Sequence, residues 1–422
     1  MSSSVALWHE ARFQLSRTSV RILLLLALVL SASAVLLGMA EVRHQRASIE
    51  QLKALDIQER SAMWKKFSDW GDIAYDGFHY TYSSPSELAF AALGQRDILP
   101  WQHRVRMLAL EGQIHERDPA NPELALLGRF DFALVVSLLL PLLVIVLLHD
   151  IKAGERSAGR DILLLATTGG EGLWQRRAMV LALLLLCALL LPFWFGAVFS
   201  GAALSDSIST TVAVLLHTAF WSVVALRFAR GDATAEVTAC RLVGLWFVVA
   251  IALPLLGRLA IITATPLPEP GEILMLHREA VNAAWDKPKA ATMEPFVAAH
   301  PEWRDKAEVS IPFEWKWYYA FQQVGDMEAA EMTARYRTGI EAREKAAWWL
   351  GALSPPLLLN KTLSCLARTD LAAALVYEDA VRSFHASMRQ FYYPLLFGNV
   401  PFDAQLLDEH PAFQEAERSC GS

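Results

Sequence analysis

Residues 22–40 read ILLLLALVLSASAVLLGMA, an apolar run without a charge. A bilayer core of about 30 Å is crossed by roughly 20 apolar residues at ~1.5 Å of helical rise each, so the run is long enough to span. Four more follow: residues 132–148 (FALVVSLLLPLLVIVLL), 178–200, 208–226 and 242–264. Pro141, Pro192 and Pro254 lie inside three of them, which membrane helices tolerate where neighbours serve the freed carbonyls. The expected fold is mainly α: a polytopic membrane protein with five transmembrane helices and two mostly helical external domains. At 54% hydrophobic and 19% charged residues, the composition excludes a disordered chain, and a net charge of −6 argues against nucleic acid as a partner.

The first run also has features of a signal peptide: Arg12, Arg17 and Arg21 precede it, and residues 31–34, SASA, look like a cleavage site. Its continuation through residue 40 to full spanning length favours a span. Lys and Arg near helix ends set orientation. With the N-terminus inside, segments 1–20, 150–177 and 227–241 are cytoplasmic. They hold Arg12, Arg17, Lys152, Arg156, Arg160, Arg176, Arg177, Arg227, Arg230 and Arg241, whereas the outer loop 201–207 has no basic residue.

The expected organisation is therefore 1–20 as a cytoplasmic elbow helix, 21–40 as the first span, 41–130 as external domain one and 131–149 as the second span. Residues 150–177 form a cytoplasmic segment, 178–264 the third to fifth spans, and 265–422 a second external domain. Residues 346–359, AAWWLGALSPPLLL, are too short and too broken by Pro355 and Pro356 to make a sixth span. They read as an interfacial helix anchored by Trp348 and Trp349, or else as a buried helix of the outer domain.

Inside the spans the only titratable side chain near mid-depth is His217. Ion-coupled transporters and channels carry intramembrane charges or broken helices, and this chain has almost none. His217 reads first as a structural hydrogen-bonding residue, with a proton relay as the other reading. The chain has no G-x-x-x-x-G-K-[ST] phosphate loop, no G-x-S-x-G nucleophile elbow and no H-E-x-x-H pair. Its external His residues lack ligand spacing, so we expect no enzyme activity, no metal site and no cofactor in this chain. Cys187 falls in the third span and Cys240 at the inner end of the fifth, while Cys365 and Cys420 fall in an outer segment where a disulfide is permitted.

The segment 150–177, DIKAGERSAGRDILLLATTGGEGLWQRR, mixes acidic and basic residues around an apolar patch at residues 162–166. It suits docking on a protein surface, or lying on the inner leaflet as an amphipathic helix. Here the chain resembles the permease subunits of ABC-2-type transporters, in which a Glu within a Gly-containing stretch precedes a Leu-rich helix contacting the ATPase. Gly154, Glu155, Arg156, Gly159 and residues 163–165 carry the likeness, while Gly159, Arg160 and Asp161 stand where the family has Gly-Thr-Leu. The resemblance implies an ATPase-coupling site at Gly154, Glu155, Arg156, Gly159, Arg160, Leu163 and Leu164. It also implies that Trp8, Glu10 and Arg12 belong to an elbow helix on the inner leaflet.

Pro85, Leu88, Ala89, Gly94, Asn121, Pro122, residues 128–131 and Pro141, with His300, Pro301, Ser354, Pro355 and residues 366–370, are similar to one branch of that family. Its large external region is described only as a domain of unknown function. The likeness implies a bacterial inner-membrane protein, N-terminus cytoplasmic and C-terminus periplasmic, that exports or does mechanical work. Its partners would be a separate ATPase binding ATP and Mg, a second permease copy or homologue, and the lipid membrane. The rival reading is a membrane-anchored periplasmic scaffold or sensor that binds a protein partner without transport.

Overall fold

The computed structural model describes residues 3–115, 130–166, 170–416 and 420. It is mainly helical, with five helices long and apolar enough to cross a membrane: Thr18–Lys66, Phe132–Ser157, Gly172–Ser200, Leu204–Ala229 and Ala235–Ala264. They are called the first to fifth spans below. The first packs on the third, the fourth on the second and third, and the fifth on the second. Of the apolar stretch in the second span 67% is buried, against 6% in the fifth, so the second is central and the fifth faces outward. Leu140, Leu185, Leu189, Phe193, Val214 and Trp221 fill the space between them.

Each proline inside a span has a donor nearby from another element. Val248–Ala252 makes a π-helical turn just before Pro254. In such a turn the Val249 carbonyl looks five residues on for an N–H, and Pro254 has none. Ser354 Oγ donates to that carbonyl at 2.8 Å. The second span makes a similar turn, Val135–Leu139, before Pro141, and Trp246 Nε1 donates to Leu138 O at 3.2 Å. Beside Pro192, Ser31 Oγ donates to Leu189 O at 2.7 Å.

The first span does not stop at the bilayer limit. It is one helix of 49 residues, as the apolar spacing of Ile49, Leu52 and Leu55 leads one to expect. A short segment crosses it closely: a Cβ on Gly38 would lie 2.0 Å from the Phe90 carbonyl oxygen, so only glycine fits. Residues 88–93 are buried there, and Asp131, which caps the second span through Leu134 N at 2.9 Å, also accepts from Leu93 N at 2.9 Å.

The two expected external domains are in fact one lobe with one core. Trp70, Ile73, Val105, Met107 and Ile114 pack in a single cluster with Phe296, Trp317, Phe321, Val381 and Phe397. The reason is size: Trp70–Asp76, the strands β1 (His79–Tyr82) and β2 (Gln102–Val105), and Leu110–His115 are too short to cover their own apolar faces. They borrow cover from Pro270–Asp286, Trp315–Leu353 and Leu371–Phe397. Helical sequence patterns over 271–285, 326–350 and 371–391 fall within these three. The aromatic stretch 313–321, readable as strand or helix, supplies the start of the long middle helix. The aromatic stretch 75–82 turns His79 and Thr81 inward on β1 as core rather than lining a ligand surface.

Residues 346–359 do not lie along an interface as one helix. Ser354 ends Trp315–Leu353 and caps Pro355–Leu366, accepting from Leu357 N at 3.4 Å, and prolines at the first turn pre-set the new helix. The two arms fold into a hairpin. The first packs on the fifth span and the second on the second, fourth and fifth spans. Val249, which Ser354 meets, is half-way along Ala235–Ala264, so the hairpin turns level with the middle of the spans. Residues 265–422 are therefore not wholly external to the helical layer.

Candidate functional site

Three elements converge at the end of the helical layer opposite the lobe. The elbow helix Ser3–Ser16 packs on the first and third spans. The second span ends in the short helix Ala153–Ser157, which a turn at Gly159, whose φ of +68° favours glycine, joins to a second short helix, Asp161–Leu165. The turn between the fourth and fifth spans completes the surface.

Glu155 is the hub. Its two oxygens accept separately from Arg177 Nη1 and Arg160 Nε, each at 2.8 Å. Arg177, at the start of the third span and only 8% exposed, also places Nε 3.2 Å from Glu10 Oε1 on the elbow helix. Its guanidinium lies over the rings of Phe13 and Trp174, 5.5 Å from each centroid. Glu10 is held from its own helix by Gln14 Nε2 at 2.7 Å. One carboxylate and one guanidinium thus join the elbow helix, the post-span segment and the third span. Removing either leaves the other buried without its main partner.

Arg156 faces the other way. It donates to Asp232 Oδ1 at 3.2 Å and Ala233 O at 2.8 Å, while Lys152 Nζ donates to Arg230 O at 2.8 Å. These bonds fix the same segment to the turn between the fourth and fifth spans. Gly154 lies within the first short helix, in ordinary contact with Asp150. Beyond the ionic layer, Ile162 and Leu163 are 76% and 71% exposed, whereas Leu164 packs on the core of the spans. The arrangement is a charged base clamped to three structural elements, with two bare apolar side chains on its tip.

The residues expected at this site, Gly154 to Leu164, do come together, and Glu10 joins them through Arg177. Trp8 and Arg12 point away: Trp8 is 57% exposed, with the Arg12 guanidinium 5.6 Å from its ring centroid. Sequence reasoning missed Arg177, Lys152 and Asp232 as site residues. The available signal was the position of Arg177 at the mouth of an apolar run, where a buried cation needs a carboxylate partner.

The other expected pieces gather elsewhere. Trp348 lies near Lys361, 4.9 Å from its ammonium, and Trp349 is 79% exposed on the first hairpin arm. Cys365 and Cys420 form a disulfide with Cα atoms 5.4 Å apart, tying the end of the chain to the second arm. Residues 85–95 and 366–370 meet where lobe and spans join: Ser86 Oγ donates to Ala367 O at 2.6 Å, Thr369 Oγ1 to Ala92 O at 2.8 Å, and Gln95 N to Thr369 O at 2.8 Å. Asn121, Pro122, Gly128 and Arg129 lie outside the described residues.

Residues 271–415 match a family model described as a domain of unknown function (DUF3526). That stretch covers most of the lobe's second half and the whole hairpin. No curated protein and no solved structure matches the chain.

Proposed function

We propose that this chain is the permease subunit of an ABC-2-type transporter in a bacterial inner membrane, coupled to a separate ATPase and paired with a second permease. The observation that carries the reading is the Glu155 hub. An ATPase closing against Ile162 and Leu163 would push on a segment that ionic bonds tie to the elbow helix, the third span and the turn before the fifth. Such a load moves packed helices as units, since close-packed interfaces slide or rotate rather than deform. ATP and Mg would be bound by the partner, and the work done would be export or mechanical force across the membrane.

Orientation follows from the same features. The basic segments favour a cytoplasmic N-terminus and Glu155 face, and the Cys365–Cys420 disulfide suits an oxidising periplasm around the lobe. A reporter active only in the cytoplasm, fused after Ser422, is expected to be silent.

Purification in mild detergent tests the central point. An ATPase should copurify, and Glu155→Arg should abolish stimulated ATP hydrolysis while the chain stays in the membrane. If no ATPase associates, the permease reading falls and the anchored scaffold takes its place.

A further inference from the structure

A cavity of about 480 Å³ opens between the fifth span, the long helix Trp315–Leu353 and the second hairpin arm. That volume lies within the ~300–1,000 Å³ of ordinary small-molecule sites. Pro254, Leu350 and Leu357 line the part nearest the hairpin turn, and Ile261 and Leu375 the part nearest the lobe. The fifth span is the most outward-facing of the five, so a cavity on its flank borders the bilayer.

Depth is fixed by the hairpin. Val249, level with the middle of the spans, lies nine residues before Arg258. At ~1.5 Å per residue Arg258 is about 14 Å above that level, close to half of a hydrocarbon core ~30 Å thick. This is where lipid phosphates begin.

Charge singles out the same residue. The carboxylates in the cavity wall are already answered, Glu344 by Lys361 at 2.5 Å and Glu378 by Arg382 at 3.5 Å. Arg343 spends Nε on the Thr265 carbonyl at 3.0 Å. Arg258 is exposed and has no hydrogen bond or ion pair among the described residues. A lone guanidinium at the edge of hydrocarbon, beside an apolar slot, complements a phosphate that carries an acyl chain.

We propose that this cavity binds a membrane lipid with an anionic phosphate headgroup, its phosphate on Arg258 and one acyl chain in the slot beside Pro254 and Leu350. The proposal rests on the fifth span and the helices packed against it, and stands whether or not the chain is a transporter.

The test uses the full chain in nanodiscs containing a photoactivatable phosphatidylglycerol or, separately, the matching diacylglycerol, which lacks the phosphate, with labelled residues mapped by mass spectrometry. Phosphatidylglycerol should label residues 254–262 and 340–350 about fivefold more than diacylglycerol, the scale of one charge-assisted contact. Arg258→Gln should bring the two probes level, and Ala347→Trp, which fills the slot without touching a charge, should suppress labelling by both. Equal labelling of the wild-type chain by the two probes would overturn the proposal and needs no variant to be read. So would labelling that survives both substitutions. Full competition by soluble glycerol phosphate would also overturn it, in favour of a site for the free anion.

Discussion

Two ionic networks lie at opposite ends of the molecule, built from the same side chains to different ends. In the lobe, Asp326 accepts from Leu110 N at 2.9 Å, Glu111 N at 3.0 Å and Arg389 Nη2 at 2.5 Å, while Glu111 holds Arg382 at 3.0 Å. Every partner there belongs to one hydrophobic core. At the other end Glu155 and Arg177 join the elbow helix, the short helices and the third span, beneath an exposed apolar tip. The first network welds a domain from two distant stretches of chain; the second ties separate helices together, and under the permease reading it carries motion between them. Chemistry alone does not separate structural from transmitting ion pairs, but the identity of the elements they bridge does.

The sharpest way to break this contrast is Asp326→Ala. It removes the acceptor of two backbone N–H groups and leaves Arg389 buried, so the lobe should lose about 3–5 kcal/mol in thermal or denaturant unfolding. A somewhat smaller effect is expected from Glu111, and it depends on pH. Burial pushes its carboxyl up, but hydrogen bonds from His115 and Arg382 outweigh that and hold it at about 2. A carboxylate with a depressed native pKa stabilises fully above its unfolded value and loses that contribution as pH falls towards the native one. Wild type should therefore exceed Glu111→Gln by about 3 kcal/mol near pH 6, with the gap closing below about pH 4.5. A gap that widens on acidification would refute the assignment.

Ser354→Ala comes next. It strips the donor from the Val249 carbonyl and should cost about 1–2 kcal/mol in detergent, with Ser354→Thr largely neutral. The smallest change in stability belongs to Glu155→Gln, about 1 kcal/mol, because the amide oxygen can still accept from Arg177 Nη1 and the Arg177 charge keeps Glu10 beside it. Under the permease reading the same substitution removes most stimulated ATP hydrolysis. If instead it unfolds the chain as Asp326→Ala does, the two networks are alike and the comparison fails.

The helical spans were legible because each is a local property: an unbroken apolar run of sufficient length. The single core of the lobe was not, since Trp70 and Phe391 meet across about three hundred residues of sequence and no periodicity records their contact. The hairpin was hidden by its mixed signal. Read for hydropathy, residues 346–359 are a span that is too short. Read for helix punctuation, Ser354 followed by two prolines marks the start of a new helix and so a turn. At the charged end, Glu155, Arg160 and Glu10 were found by resemblance, but Arg177 had been counted only as a topological charge. Its partners come from segments far apart in sequence, which spacing cannot reveal.

The 49-residue helix that begins at Thr18 has a mechanical consequence. At ~1.5 Å per residue it is a lever about 73 Å long, and a swing of about 5° at its inner end carries Lys66 sideways by about 6 Å. A movement at the charged end too small to resolve by most probes would reach the far tip of the lobe greatly amplified. A spin or fluorescent label near Ser68 is the place to look for it.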